Sequence, residues 1–511
     1  MEFGRLSRST STQARNLRWI AAVLAAVVAV SGCRSSSTGS DTVAPPTTNL
    51  AAVTTVPATV PPATTPEFIP DTPSGTPFLD LNLVEKIDVF LEAPNSVFAS
   101  NIAAEMGLSG DQRWSPWLLD LMRLGGSTET QMSTARALQD LTGIPATGDP
   151  VVDFVEYGTW RRTTEVAPGP GYERWKTELY ALVDEDYRIL LGGVDDDEVL
   201  SRILWGGVRR GGIPELNDAP RLTSDQASFM TDDELVLGAV VNGQPVAYPL
   251  RFMARHELAN DHIDGVPVSL VYCTLCRSGI LFDRRVEGEV LDFQTSGLLI
   301  DSNKLMVDRQ TDTLWHHLTG TGISGPLKGV VLERFPVATT TWRDWLADHP
   351  TTEVVDTPEP TYFPETPERA PIAYDYTPGS AYALYYENDN VWFPILEEPD
   401  TFARKEVVIT VERGGAALAL GLDALRASSP FGYHLGGEVL VIVPHDGGAR
   451  VYLHPDTSVR HLEQLDIGEG LAGNEELTLP DGRSATRLVS GQAFWFAWWG
   501  IHPDTETWPA S

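Results

Sequence analysis

Cys273 and Cys276 stand three residues apart in "LVYCTLCRSGILFDR", and the 511-residue chain holds only one other cysteine, Cys33. Two thiols at this spacing can do three things. They can cycle between a dithiol and a small-ring disulfide, with a thiolate of lowered pKa as the attacker. Arg277, the next residue, offers a cation for that purpose. They can give two soft donors to a zinc or copper ion, which then needs one or two more ligands. Candidates for those are His256, His262, His316 and His317, with Glu257 and Asp261 as oxygen donors. Or they can form a structural disulfide in a domain whose work lies elsewhere. Spacing alone does not separate these readings.

The flanking segments place the pair. "VPVSLVYC" before it and "GILFDRRVEGEVLDFQ" after it are short, β-rich runs, so the thiols belong on a strand–turn–strand. Activation by a helix N-terminus, as in a thioredoxin fold, is therefore not expected. "RHELAND" carries His256 and Glu257 just upstream, and antiparallel pairing would bring them toward the thiols. On that basis His256 is the expected third donor of a metal site, or the proton donor of a redox site. His316 and His317 in "LWHHLTG" read more readily as packing or surface residues. The chain contains no P-loop, dinucleotide fingerprint, G-x-S-x-G elbow or H-E-x-x-H.

The N-terminus sets the expected compartment. Arg5, Arg8, Arg15 and Arg18 precede an apolar run from about Trp19 to Val30, too short to span a bilayer comfortably, which ends in "VSGC". This pattern is similar to the lipobox of bacterial lipoproteins and makes Cys33 the expected lipidated residue. It predicts an exported protein, lipid-anchored to the outer face of the cell membrane. Removal of the leader takes away four Arg and one Glu and leaves 33 Lys plus Arg against 69 Asp plus Glu, a net charge near −36. Such an acidic chain is a poor partner for nucleic acid, whose phosphates demand clustered basic residues. From Arg34 to Lys86 there is no intervening Lys or Arg, and segments such as "TTVPATVPPATTPEF" predict an extended tether.

Beyond the tether the pattern is helical. In "RWSPWLLDLMRLGG", Trp114, Trp117, Leu118, Leu121 and Met122 share a face, with Ser115 and Pro116 as N-cap and N1 and Gly125 as stop. A second helix is expected between Ser127 and Gly143. After about Ser201 short strands take over, including the hairpin candidate "ELVLGAVVNGQPVAYPL" around Asn242-Gly243.

The strand-rich part repeats itself. "TWRDWLADHPTTEVV" and "FWFAWWGIHPDTETW" share the spacing W-x2-W-x3-H-P-x2-E at an offset of 153, and "ELVLGAVVNGQPVAYPL" matches "EVVITVERGGAALALGL" at an offset of 172. At that offset Cys273 falls on His445, Cys276 on Gly448 and His256 on Ser428, so the second copy lacks the thiols. A pair needed only for the fold of the unit would be expected in both copies.

The ordered motifs "GAVVNGQPVAYPLRFMARHELANDHIDGVPVSLVYCTLCRSGILFDR", "TSGLLIDSNKLMVDRQTDTLWHHLTGTGISGPLKG" and "TTTWRDWLADHPTTEVV" resemble the bacterial domain-of-unknown-function family 3179 over about 205–360. The family name carries no biochemical role. Its members usually have Trp-His-Glu where this chain has Arg255-His256-Glu257, and often Cys-Pro-x-Cys-Gly where it has Cys273-Thr274-Leu275-Cys276-Arg277.

The sequence thus predicts an α+β chain, with a helical N-terminal region followed by a β-rich duplicated body with a degenerate second copy. The expected segments are a lipoprotein signal peptide (1–33), a disordered tether (34–76), a helical region (77–200), a first copy with the Cys-x2-Cys (201–360) and a second copy (361–511). The expected function is thiol–disulfide redox chemistry or transition-metal binding in the cell envelope, the metal being copper or zinc. The alternative is a non-catalytic structural or binding lipoprotein.

Overall fold

A computed structural model describes residues 77–357, 381–456, 476–479 and 481–509. The lipobox with Cys33 and the whole of the expected tether lie outside these residues. Among the described residues, no helix is long and apolar enough to cross a membrane.

Eight helices between Leu83 and Arg202 form the N-terminal region. Their ends follow local chemistry. The helix Thr128–Thr142 starts where the Ser127 side chain accepts a hydrogen bond from the Thr130 amide and stops at Gly143, with φ of +78°. The helix Ser115–Leu124 has Pro116 in its first turn and ends at Gly125, but Ser115 is already helical; a 3-10 turn, Gln112–Trp114, leads into it and takes the place of the expected cap. Asp120 of this helix is fully buried against Lys176, Tyr172 and Tyr180.

The body is β-rich, with five main sheets in a propeller-like arrangement. The helical region is not a separate lobe. Leu118, Trp175 and Leu200 belong to the same apolar core as Val271, Cys276, Met306 and Trp315. The strand Ile203–Trp205, directly after the last N-terminal helix, pairs with Leu298–Ile300 of the first sheet.

Two pairs of sheets correspond. Four strands of one sheet, ordered Val337–Thr341, Leu235–Val241, Gln244–Pro249, Glu353–Val355, have the same order and directions as the four-stranded sheet Gly491–Phe494, Val407–Arg413, Ala416–Gly421, Glu506–Trp508; the first sheet carries one further strand, Arg221–Thr223, beside Glu353–Val355. Register carries over as well: Thr341 faces Leu235 as Phe494 faces Val407, and Val236 faces Pro249 as Val408 faces Gly421. The hairpins turn through left-handed residues, Asn242-Gly243 (φ +51° and +82°) and Gly414-Gly415 (φ +59° and +78°).

After each such hairpin come a short helix, Leu250–His256 or Leu422–Arg426, and a three-stranded meander, 258–283 or 431–453. The short tryptophan helices match in detail. Trp345 Nε1 donates to Thr352 Oγ1 at 2.9 Å and Trp498 Nε1 to Thr505 Oγ1 at 2.9 Å. The imidazoles of His349 and His502 lie 4.1 and 4.2 Å from those indoles.

Gly238 shows how tightly the first of these helices seats. A β-carbon at this position would lie 2.3 Å from the Trp345 ring. Gly238→Ala should therefore destabilise the protein by about 1–3 kcal/mol, the usual range for forcing a methyl group into a packed site. Denaturant unfolding followed by tryptophan fluorescence reads this, and an unchanged midpoint would contradict it.

Candidate functional site: the thiol turn

The strands Val266–Cys273 and Ser278–Asp283 pair with Cys273 opposite Ser278, leaving a four-residue turn, 274–277, with Cys276 inside it. Arg277 closes the turn with φ of +50°, a left-handed conformation that is costly for a side chain larger than glycine. In the second meander His445 stands opposite Gly448, so that turn has only two residues. Cys276 therefore has no counterpart there. Aligning it with Gly448 by a constant offset places it two residues too far along.

Both thiols are free and buried, with Cys273 2% and Cys276 0% exposed. No disulfide joins them. Their surroundings are polar. Cys276 Sγ donates to Asn303 Oδ1 at 3.3 Å and accepts from Ser278 Oγ at 3.4 Å. Ser278 Oγ lies 2.8 Å from His317 Nε2, which also lies 3.2 Å from the Ser278 carbonyl. Beside the turn, the Lys304 ammonium is paired with Glu257 in a buried ion pair. The other Glu257 oxygen accepts from Thr274 Oγ1 at 3.4 Å. Glu257 ends the helix Leu250–His256 with φ of +58°, at the start of the strand Leu258–Ile263. Two buried polar atoms of the cluster, Asn303 Nδ2 and His317 Nδ1, have no hydrogen-bond partner.

Three successive carbonyls of the turn are held from outside. Tyr386 OH donates to Thr274 O at 2.8 Å, Tyr385 OH to Leu275 O at 3.1 Å, and the Phe494 amide to Cys276 O at 2.9 Å. The Arg277 guanidinium lies 5.7 Å from the Tyr386 ring centre. The tyrosines come from the helix Ala381–Tyr386, and Phe494 from the strand Gly491–Phe494. The site is thus assembled from both halves of the body.

The two thiols are electrostatically unequal. Burial pushes Cys273 up, but the Cys276 thiol and amide that hydrogen-bond it, together with the Lys304 charge, outweigh burial and bring it below the ordinary thiol value. Burial, the hydrogen bond to Cys273 and the charge on that sulfur push Cys276 well above it. Burial also lowers His317 to about 3, so its imidazole is neutral at physiological pH.

Other sequence-derived candidates go elsewhere. His256 Nδ1 binds the Pro214 carbonyl at 2.8 Å, because the end of its helix aims the ring at the loop before Leu216. His262 pairs with Asp218 at 2.7 Å on the surface, and Asp261 accepts from Tyr248 and Arg221. His316 is buried and its imidazole is lowered to about 4, mainly by that burial. Among the described residues, no group of three or more His, Cys, Asp or Glu side chains converges to hold a metal, so the expected three-donor site with His256 is not formed. His317, read from sequence as packing or surface, instead joins the thiol cluster through Ser278. Asn303, Lys304, Ser278, Tyr385 and Tyr386 were not singled out by the sequence. A lysine within the otherwise apolar strand segment "KLMV" was the one available signal.

Residues 210–505 match the family profile described as "Protein of unknown function (DUF3179)", and the chain belongs to that family. The match runs well past 360, so the second half is part of the family domain and not an appendage to it. No curated protein and no solved structure matches the chain.

Proposed function

We propose that the protein is a cell-envelope lipoprotein whose Cys273–Cys276 pair carries out thiol–disulfide exchange. The observation that carries this reading is the buried Lys304–Glu257 ion pair set against two free thiols. Burying two charges costs several kcal/mol each before pairing offsets it. A disulfide or thiol pair with a purely structural role needs no such neighbours. The second meander, which has no thiols, has Ser429 where the 172 offset places Glu257.

The same asymmetry supports reading the body as a duplicated unit with a degenerate second copy. Shared strand order, register and tryptophan-helix hydrogen bonds speak for this reading. So does the reciprocal docking of the two halves. The thiol turn packs on the Phe494 strand, and the shorter turn packs on Thr339, whose carbonyl would lie 2.7 Å from a β-carbon at Gly447.

Redox titration of the purified full chain in glutathione buffers tests the function. An intramolecular disulfide between Cys273 and Cys276 should form and reverse, seen as a loss of two hydrogens in the peptide containing both. A pair that stays reduced at every poise, or a protein that copurifies with stoichiometric zinc or copper lost in a Cys273→Ser, Cys276→Ser variant, would replace this reading with a structural or metal one.

Anchoring is tested separately. Cys33→Ala should move the protein from the membrane pellet to the soluble fraction or leave it as an unprocessed precursor. Unchanged membrane retention at the mature mass would refute the lipid anchor.

A further inference from the structure

We propose, resting on the exchange reading above, that Ser278 and His317 are positioning residues: together they hold a hydrogen-bond donor at Cys276 Sγ, which stabilises the negative charge that this sulfur carries during thiol–disulfide exchange.

The direction of each proton follows from the far end of the chain of contacts. His317 Nε2 lies 3.2 Å from the Ser278 carbonyl oxygen. A carbonyl only accepts, so this nitrogen carries the imidazole proton and Nδ1 is bare. Ser278 Oγ, 2.8 Å from the same Nε2, therefore accepts from it. The single hydroxyl proton is left free for Cys276 Sγ, 3.4 Å away. Cys276, Ser278 and His317 are all fully buried, so no solvent competes for these contacts. The sheets fix both ends. Ser278 pairs with Cys273 across the strands, and the His317 amide donates to the Lys304 carbonyl at 3.1 Å. In the second meander the register position of Ser278 is held by Gly448, opposite His445. Where the thiols are missing, so is the hydroxyl.

Asn303 completes the socket. As a thiol, Cys276 donates to Asn303 Oδ1 at 3.3 Å, while Asn303 Nδ2 is buried without a partner. A thiolate accepts and cannot donate. Half a turn of the carboxamide would bring Nδ2 to the sulfur in place of Oδ1. The orphaned donor thus gains a partner when the sulfur becomes charged.

The charge arises in a definite step. When a reducing thiolate attacks Cys273 Sγ of the ring disulfide, a bond forms between those two sulfurs. The Cys273–Cys276 bond breaks, and its electron pair stays on Cys276, which leaves as a thiolate. In the reverse direction the Cys276 thiolate attacks Cys273 Sγ and expels the reductant as its thiolate. The Ser278 hydroxyl faces the same sulfur both ways, so it favours ring opening and ring closure alike.

The ionisable or charged groups around Cys276 are Cys273 and Arg277 on its own turn, Lys304 with its partner Glu257, Tyr385 on the capping helix, and His317 behind Ser278. Burial and the neighbouring Cys273 push the Cys276 thiol up, and the Ser278 hydrogen bond and the Lys304 charge oppose them. Removing the hydroxyl should therefore raise it further.

The test is the ultraviolet absorbance of the thiolate as pH is raised, on the full chain carrying Cys273→Ser, with each variant read against the same variant carrying Cys276→Ser as well. The difference isolates Cys276 and needs no reagent to reach the buried sulfur. Ser278→Ala should move the midpoint up by about one pH unit, a tenfold loss of thiolate below it. Ser278→Thr, which keeps the hydroxyl, should restore most of it. His317→Leu should shift the midpoint in the same direction, and His317→Gln, whose amide offers a donor at similar reach, should not. A residue needed only for packing would lower stability without moving the titration. If circular dichroism shows that Ser278→Ala fails to fold, the two His317 variants carry the test.

A midpoint unmoved by Ser278→Ala and His317→Leu, a downward shift, or a Cys276 that stays protonated up to alkaline unfolding would overturn the proposal. The titration does not require disulfide formation. An upward shift in a protein that forms no disulfide in glutathione buffers would overturn the exchange reading while leaving the donor chain standing.

Discussion

Asp120→Ala should cost the protein about 3–5 kcal/mol, the range found when one partner of a buried ion pair is removed. Lys176 Nζ lies 2.6 Å from Asp120 Oδ1, and both side chains are essentially fully buried, at 0% and 1% exposure. Tyr172 OH and Tyr180 OH donate to the same carboxylate at 2.7 and 3.0 Å. Burial pushes the Asp120 carboxyl up and the Lys176 ammonium down, and their mutual contact opposes both shifts. Deleting the carboxylate leaves an ammonium and two hydroxyls buried without their acceptor. Equilibrium denaturation with urea should show the loss. The Asp120→Leu, Lys176→Met double variant should recover much of it, because the stranded charge, not the missing contact, dominates the cost. Full stability of Asp120→Ala would mean that Lys176 reaches water or a second acceptor.

The other large effect concerns the thiol pair. With Cys273→Ser or Cys276→Ser alone, attack by the remaining sulfur should proceed but resolution should not, so a mixed disulfide with the substrate should accumulate toward one per chain. Replacing both should reduce exchange to the uncatalysed background and trap nothing. Non-reducing mass spectrometry after incubation with a disulfide substrate distinguishes the variants. No trapping by either single variant would contradict exchange at this pair.

Local features were legible in the sequence because they are encoded locally. The Ser127 cap, the Gly143 stop, the Asn242-Gly243 hairpin and the strand–turn–strand around the thiols each depend on a few adjacent residues. The companions of the thiols were not legible. Asn303 and Lys304 come from another sheet, His317 from the segment after the strand Leu314–His316, and Tyr385 and Tyr386 from a helix more than a hundred residues downstream. No period or spacing links these positions to Cys273. His256 shows the reverse failure. It lies close to the thiols in sequence and on an adjoining element, but it is the last residue of its helix and its ring is turned to Pro214. Adjacent residues at a helix end point in different directions, and here Glu257, not His256, is directed to the thiol turn.

The three bonds that pin the turn carbonyls of Thr274, Leu275 and Cys276 bear on the proposed redox role. A redox sensor must convert a change at sulfur into movement elsewhere, and it does so by letting a loop refold. Here the backbone between the sulfurs is fastened at three successive residues to two elements from elsewhere in the chain, at about 0.5–1.5 kcal/mol for each bond. Sulfur–sulfur bonding must then come from rotation of the cysteine side chains against a stationary frame. Such a turn would report little of its oxidation state to the rest of the molecule. Under the proposed exchange role, it suits passing electrons on rather than signalling that it has received them.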